Sequence, residues 1–172
     1  LHKGAVSRGT AGRTTVGTSQ APHPSLPAGL GRRLGVLPGV VARIEQRRHR
    51  EALGAVVRRV LVLTRSCDPD SAAATAPELE HAINLAGVAA GRMDDIERSM
   101  AERLFDPAHA EHRALMHERD TWAARLLELT ATLDALTARV IAARSRVELG
   151  RTDDALAPLR AQVEALEEVS RA

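Results

Sequence analysis

The stretch WAARLLELTATLDALTARVIAARSRV, residues 122–147, decides the fold. Within it Trp122, Leu126, Leu129, Leu133, Leu136, Val140, Ala143 and Val147 alternate by four and three. That is an unbroken apolar a/d heptad on one long helix, which lays a sticky seam against another helix. Asp106 is a good N-cap for it, Pro107 a good first residue and Gly150 a good stop. Such a helix is roughly 60 Å long at ~1.5 Å per residue.

Reading backwards, Leu79, Ala82, Ala86, Ala89, Met93, Ile96 and Met100 repeat the pattern and predict a second helix over 76–104. Thr75-Ala-Pro-Glu78 reads as its capping box, with Pro77 in the first turn. The short connection through Phe105-Asp106-Pro107 folds the two helices back antiparallel. Reflection about residue 107 sets Met93 by Trp122, Ala89 by Leu126, Ala86 by Leu129 and Ala82 by Leu133. Small residues then face large ones, and the helices can approach closely. The longer helix extends past its partner, so its end beyond Val140 needs a further helix: one before it, one after it, or one from a second copy.

Reading forwards, Thr152, Asp153 and Asp154 can start a last helix carrying Leu156, Leu159, Val163, Leu166 and Val169. Pro158 should kink it or delay its start. Upstream, Val41, Ile44, Leu53, Val56, Val60 and Leu63 predict a basic amphipathic helix over 39–66, its stripe interrupted between Glu45 and Glu51. Asp68-Pro69-Asp70 reads as the turn that ends it. Gly87 and Gly91 leave a small-residue strip for one more helix to pack on.

Residues 1–37 hold seven of the twelve glycines and three of the eight prolines, and no acid occurs before Glu45. They read as a disordered basic tail or linker. The segment is Arg-rich and acid-free like a transit peptide, but it lacks an amphipathic face. The expected organisation is therefore a tail at 1–37, a basic helix at 38–67 and a helical hairpin domain at 75–172. The fold class is all-α: a long antiparallel hairpin extended to a three- or four-helix bundle.

Composition agrees with a seam rather than a thick core. Aromatic residues make up 1% of the chain, Trp122 and Phe105 with no Tyr, and apolar volume comes from Leu, Val, Ile and Ala. Lys3 is the single lysine against 23 Arg, a bias that suggests a GC-rich bacterial genome. Charge is split: residues 1–66 carry 12 basic and 2 acidic residues, and residues 67–172 carry 12 and 20. A basic arm on an acidic body implies internal neutralisation, or an arm meant for a polyanion. No apolar run is long enough to span a bilayer. The chain opens on Leu1, as a fragment or a processed product would.

The chemistry-bearing residues do not assemble into a catalytic pattern. On a helix His112 and His117 lie about 140° apart, so they cannot share one metal ion with His109 unaided. Cys67 has no neighbouring His or Lys to activate it, and being single it forms no internal disulfide. Gly29 to Gly35 does not match a dinucleotide fingerprint, and no phosphate-cradling Gly-Lys-Ser/Thr occurs. His117-Glu-Arg-Asp120 has neither the order nor the downstream residues of a kinase catalytic loop.

The expectation is a non-enzymatic chain with no metal, no cofactor and no small-molecule substrate. Its role would be a coiled-coil interaction or scaffolding module, cytoplasmic or tethered to a membrane by an upstream segment. The expected contact seam, for a protein partner or for self-association, is Met93, Trp122, Leu126, Leu129, Leu133, Leu136 and Val140. The alternative is a polyanion site, nucleic acid or anionic membrane, at Arg43, Arg47, Arg48, Arg50, Arg58 and Arg59, with the coiled coil as dimeriser. Aromatics for stacking single strands are absent there. A further alternative is the regulatory juxtamembrane tail of a bacterial receptor or signalling enzyme.

Overall fold

The computed structural model describes residues 26–102, 106, 108–146 and 152–171. These form five helices and no strand: α1 Ala28–Val41, α2 Arg47–Ser66, α3 Pro69–Glu102, α4 Ala110–Arg146 and α5 Thr152–Arg171. The fold is the expected all-α bundle, built on a long antiparallel hairpin of α3 and α4. Their 34 and 37 residues give lengths of about 50 and 55 Å.

Polar rungs fix the helix directions. Arg92 of α3 reaches Glu118 of α4 at 2.6 Å across the closed end of the hairpin. Arg59 of α2 reaches Asp134 at 2.9 Å, and Arg144 donates to the Ser66 carbonyl at 2.9 Å, so α2 runs parallel to α4. Arg160 of α5 holds Glu78 at 3.0 Å and Glu167 meets His81 at 2.7 Å, so α5 runs parallel to α3. Around α3 pack α1, α2, α4 and α5. One core joins all five helices. In it Ala82, Ala86, Ala89 and Ala90 of α3 are fully buried beside Leu129 and Leu133 of α4 and Leu159 and Leu166 of α5.

Three boundaries differ from the expectation. First, residues 28–37, read as linker, are helical and packed. Leu30, Leu34, Leu37 and Val41 are spaced four, three and four, and this stripe lies in or against the core. A Cβ added at Gly31, Gly35 or Gly39 would meet nothing within 4 Å, so these glycines lie off the packed face and do not disturb it. The end of α1 crosses Gly87, where an added Cβ would sit 3.5 Å from Val40. The small-residue strip of α3 thus receives α1 at Gly87, while a Cβ added at Gly91 would meet nothing within 4 Å. Residues 1–25, the rest of the expected tail, lie outside the described residues.

Second, the helix expected over 39–66 is broken. The chain leaves α1 at Ala42, passes through extended backbone at Gln46 (φ −74°, ψ 123°) and re-enters helix at Arg47. Third, α3 starts at Pro69 and not at 76. Asp68 Oδ1 accepts the Ser71 amide at 2.9 Å, so Asp68-Pro69 is an N-cap followed by a first-turn proline. That amide also holds the Asp68 carboxyl below its ordinary range. Thr75 donates to the Ser71 carbonyl at 3.0 Å from mid-helix, and the expected capping box does not form. The helix continues through Pro77, since Ala72, Thr75, Ala76 and Leu79 are all buried and their packing opposes the break.

Asp106 does turn the hairpin, accepting the Ala108 amide at 2.8 Å. Pro107 and Gly150 lie outside the described residues. Pro158 sits inside α5, beyond its first turn.

Candidate functional site

The apolar positions singled out as a contact seam serve the chain's own core. Met93, Trp122, Leu126 and Leu136 are buried, Leu129 and Leu133 are fully so, and Val140 packs against them from the edge. They face α2, α3 and α5, the helices that α4 packs on. None of them is open to a partner in the folded chain.

The Arg cluster is largely engaged as well. Arg47 pairs with Glu51 at 2.7 Å, and Arg48 pairs with Glu97 of α3. Arg50 donates to the carbonyls of Ile44 and Glu45, both at 2.8 Å, and so closes the bend between α1 and α2. Arg59 bridges to Asp134. Arg43 and Arg58 are exposed. Arg48 and Arg59 therefore fasten α2 to acids of α3 and α4, Arg47 pairs within α2, and among the described residues no acid pairs with Arg43, Arg50 or Arg58.

Beneath them lies a polar cluster that pattern reading missed. Asp94 of α3 is 2% exposed and points at the start of α2. Its carboxylate accepts the amides of Glu45 at 2.9 Å and Gln46 at 2.7 Å, and Arg98 donates to it at 3.2 Å. Burial is the largest influence and opposes its charge, yet the two amides together with His49 and Arg98 outweigh it and hold the carboxyl below its ordinary range. Buried His49 lies between two acids, Nδ1 at 3.4 Å from Asp94 and Nε2 at 3.5 Å from Glu97. The residues that interrupt the stripe of α2 are the ones that dock its first turn.

The remaining candidates have structural partners. The His112 ring lies 2.9 Å from the Asp106 backbone, and its neighbour His109 faces the Asp106 carboxylate at 3.5 Å. Burial, then Asp68, pushes the half-buried Cys67 thiol up, away from the reactive thiolate. Among the described residues no His, Cys, Asp and Glu group of three or more is arranged to hold a metal ion. No described helix is long and apolar enough to cross a membrane.

What stays exposed is the other side of α4. Leu127 is 70% exposed and Ile141 52%. Ala124, Ala131, Ala138 and Ala142 are exposed between and beside them. At 100° per residue Leu127, Ala131, Asp134, Ala138 and Ile141 share an arc of about 80°, opposite the buried seam. Between Leu127 and Ile141, Asp134 is the one charge in that arc, and Arg59 neutralises it. Val62 of α2, 49% exposed, lies between the same two rungs to α4 that bracket Ile141. The signal was present in the Leu126-Leu127 doublet: a heptad that buries the first must expose the second.

The chain matches no protein-family model, no curated protein sequence and no solved structure.

Proposed function

We propose that this chain is a non-enzymatic helical interaction module that binds a protein partner through the outward face of α4. The observation that carries the reading is Leu127, a large aliphatic side chain left 70% exposed in a nearly uncharged strip on the longest helix. Val36 of α1 and Val88 of α3 are exposed as well, but Leu127 is the most exposed large aliphatic among the described residues, and it lies in a contiguous apolar strip such as a contact surface presents to its partner. The buried acids and His49 are engaged in holding the bend between α1 and α2. A cytoplasmic setting, which keeps Cys67 reduced, suits such a role.

Against polyanion binding stand the internal partners of Arg47, Arg48, Arg50 and Arg59. Tight binding of DNA or anionic vesicles that falls steeply with salt would reverse the choice.

The test is a photo-crosslinking residue at position 127 in the full chain within producing cells, with position 32 on α1, which packs on α3 away from α4, as an exposed control. The reading expects discrete adducts from 127 and none from 32. Absence of adducts at 127, or equal labelling at both, would refute it.

A further inference from the structure

We infer that the occupant of the outward face of α4 is a second copy of this chain, lying antiparallel across a two-fold axis near Asp134. The inference rests on the interaction reading above and names its partner. A two-fold interface is self-complementary: if residue i meets residue j, then j meets i. The outward strip has this property. Leu127 and Ile141 lie at equal distances on either side of Asp134, separated by about 21 Å of helix. A two-fold there brings Leu127 of one copy onto the apolar patch of Ile141 and Val62 of the other. Ala124 and Ala142 flank the same midpoint within a residue, as do Ala131 and Ala135. Small residues near the axis let two helices approach closely.

Charge sets the direction. Glu128 and Arg139 lie on one flank of the strip, within about 20° of each other around the helix, and their midpoint falls beside Asp134. In an antiparallel pair each copy's Glu128 faces the other's Arg139, forming two symmetric ion pairs. In a parallel pair the two-fold runs along the helices and sends these flanks to opposite sides of the seam, so neither Glu128 nor Arg139 would find its counterpart. Within its own chain Glu128 bonds Arg125 at 2.9 Å, and no described acid pairs with Arg139. Asp134, nearest the axis, arrives with its charge offset by Arg59 at 2.9 Å.

Sedimentation equilibrium of the purified full chain, in reductant so that Cys67 cannot link copies, decides the matter. The wild-type chain should dimerise with a micromolar constant. Leu127→Glu should be monomeric with unchanged helicity, and its melting temperature should match the wild type's when both are diluted below the dimer constant. Glu128→Arg should weaken the dimer about tenfold, and adding Arg139→Glu should recover it, because the pair is then reversed and not lost. Register has its own readout. In a Cys67→Ser background, Ala124→Cys and Ala142→Cys chains should form a disulfide when mixed and none when alone.

A wild-type chain that stays monomeric at high concentration overturns the inference, as does a dimer indifferent to Leu127→Glu or one that survives Glu128→Arg undiminished. The interaction reading fails separately. A monomer whose position 127 still crosslinks to another protein in cells sinks the dimer and keeps the module. A monomer with no adduct at 127 sinks both.

Discussion

The inner face of α4 buries Trp122, Leu126, Leu129, Leu133 and Leu136 to between 0% and 4% exposure, while its outer face leaves Leu127 70% and Ile141 52% exposed. Leu126 and Leu127 are chemically identical neighbours, about 100° apart on the same helix. Burial makes one a structural residue, and its absence makes the other available for binding. Hydrophobicity therefore identifies a helix that packs, and tertiary context decides which of its faces has already packed.

Measurements can break this contrast, beginning where the effect should be greatest. We expect Leu129→Ala to cost about 2–5 kcal/mol in urea denaturation, because it removes a fully buried side chain and leaves a cavity between α3, α4 and their neighbours. A loss below about 1 kcal/mol would mean the inner seam is not the core described.

Asp94→Ala should cost about 3 kcal/mol, since it strips two part-buried amides and Arg98 of a charged acceptor. The same carboxylate makes a pH prediction. Its folded-state pKa is lowered, so its contribution is complete above the ordinary carboxylate range. The contribution is then lost as pH falls through that range toward the folded value. The wild-type melting temperature should therefore drop on acidification more steeply than that of Asp94→Ala. Parallel curves would remove Asp94 from the account.

Replacing Arg47, Arg48 and Arg50 together by Gln should lower stability by about 1 kcal/mol. Two of the three make solvent-screened ion pairs, and the third bonds two carbonyls at the bend. Unchanged stability together with lost DNA binding would return the cluster to a polyanion role. The smallest effect belongs to the outer face: at concentrations where the chain is monomeric, Leu127→Ser should change stability by less than about 0.5 kcal/mol. A loss comparable to that of Leu129→Ala would show the outer face to be packed after all.

Much of the fold could be read from spacing. The heptad of α4, the matching stripe of α3 and the acid at Asp106 were enough for the antiparallel hairpin, since these signals are local and periodic. The stripe of α1 was equally periodic at Leu30, Leu34, Leu37 and Val41, but glycine and arginine content obscured it. Composition averages over all sides of a helix, whereas packing uses one. Asp94 carried no pattern at all. Its partners are the backbone amides of Glu45 and Gln46, and any sequence can supply an amide.

By itself, then, the sequence determined that the chain is helical, where its long helices reverse, and which of their residues are apolar enough to seek burial. Those properties follow from a 3.6-residue period and from caps a few residues long. Only the tertiary structure decided that α1 and α2 meet at a bend held by Asp94, that Arg48 and Arg59 of the cluster are tied to acids of α3 and α4, and that the α4 seam is filled by the chain's own helices. Each of these depends on groups dozens of residues apart coming together. So does the exposure of Leu127, which is set by the helices that cover the opposite face of α4.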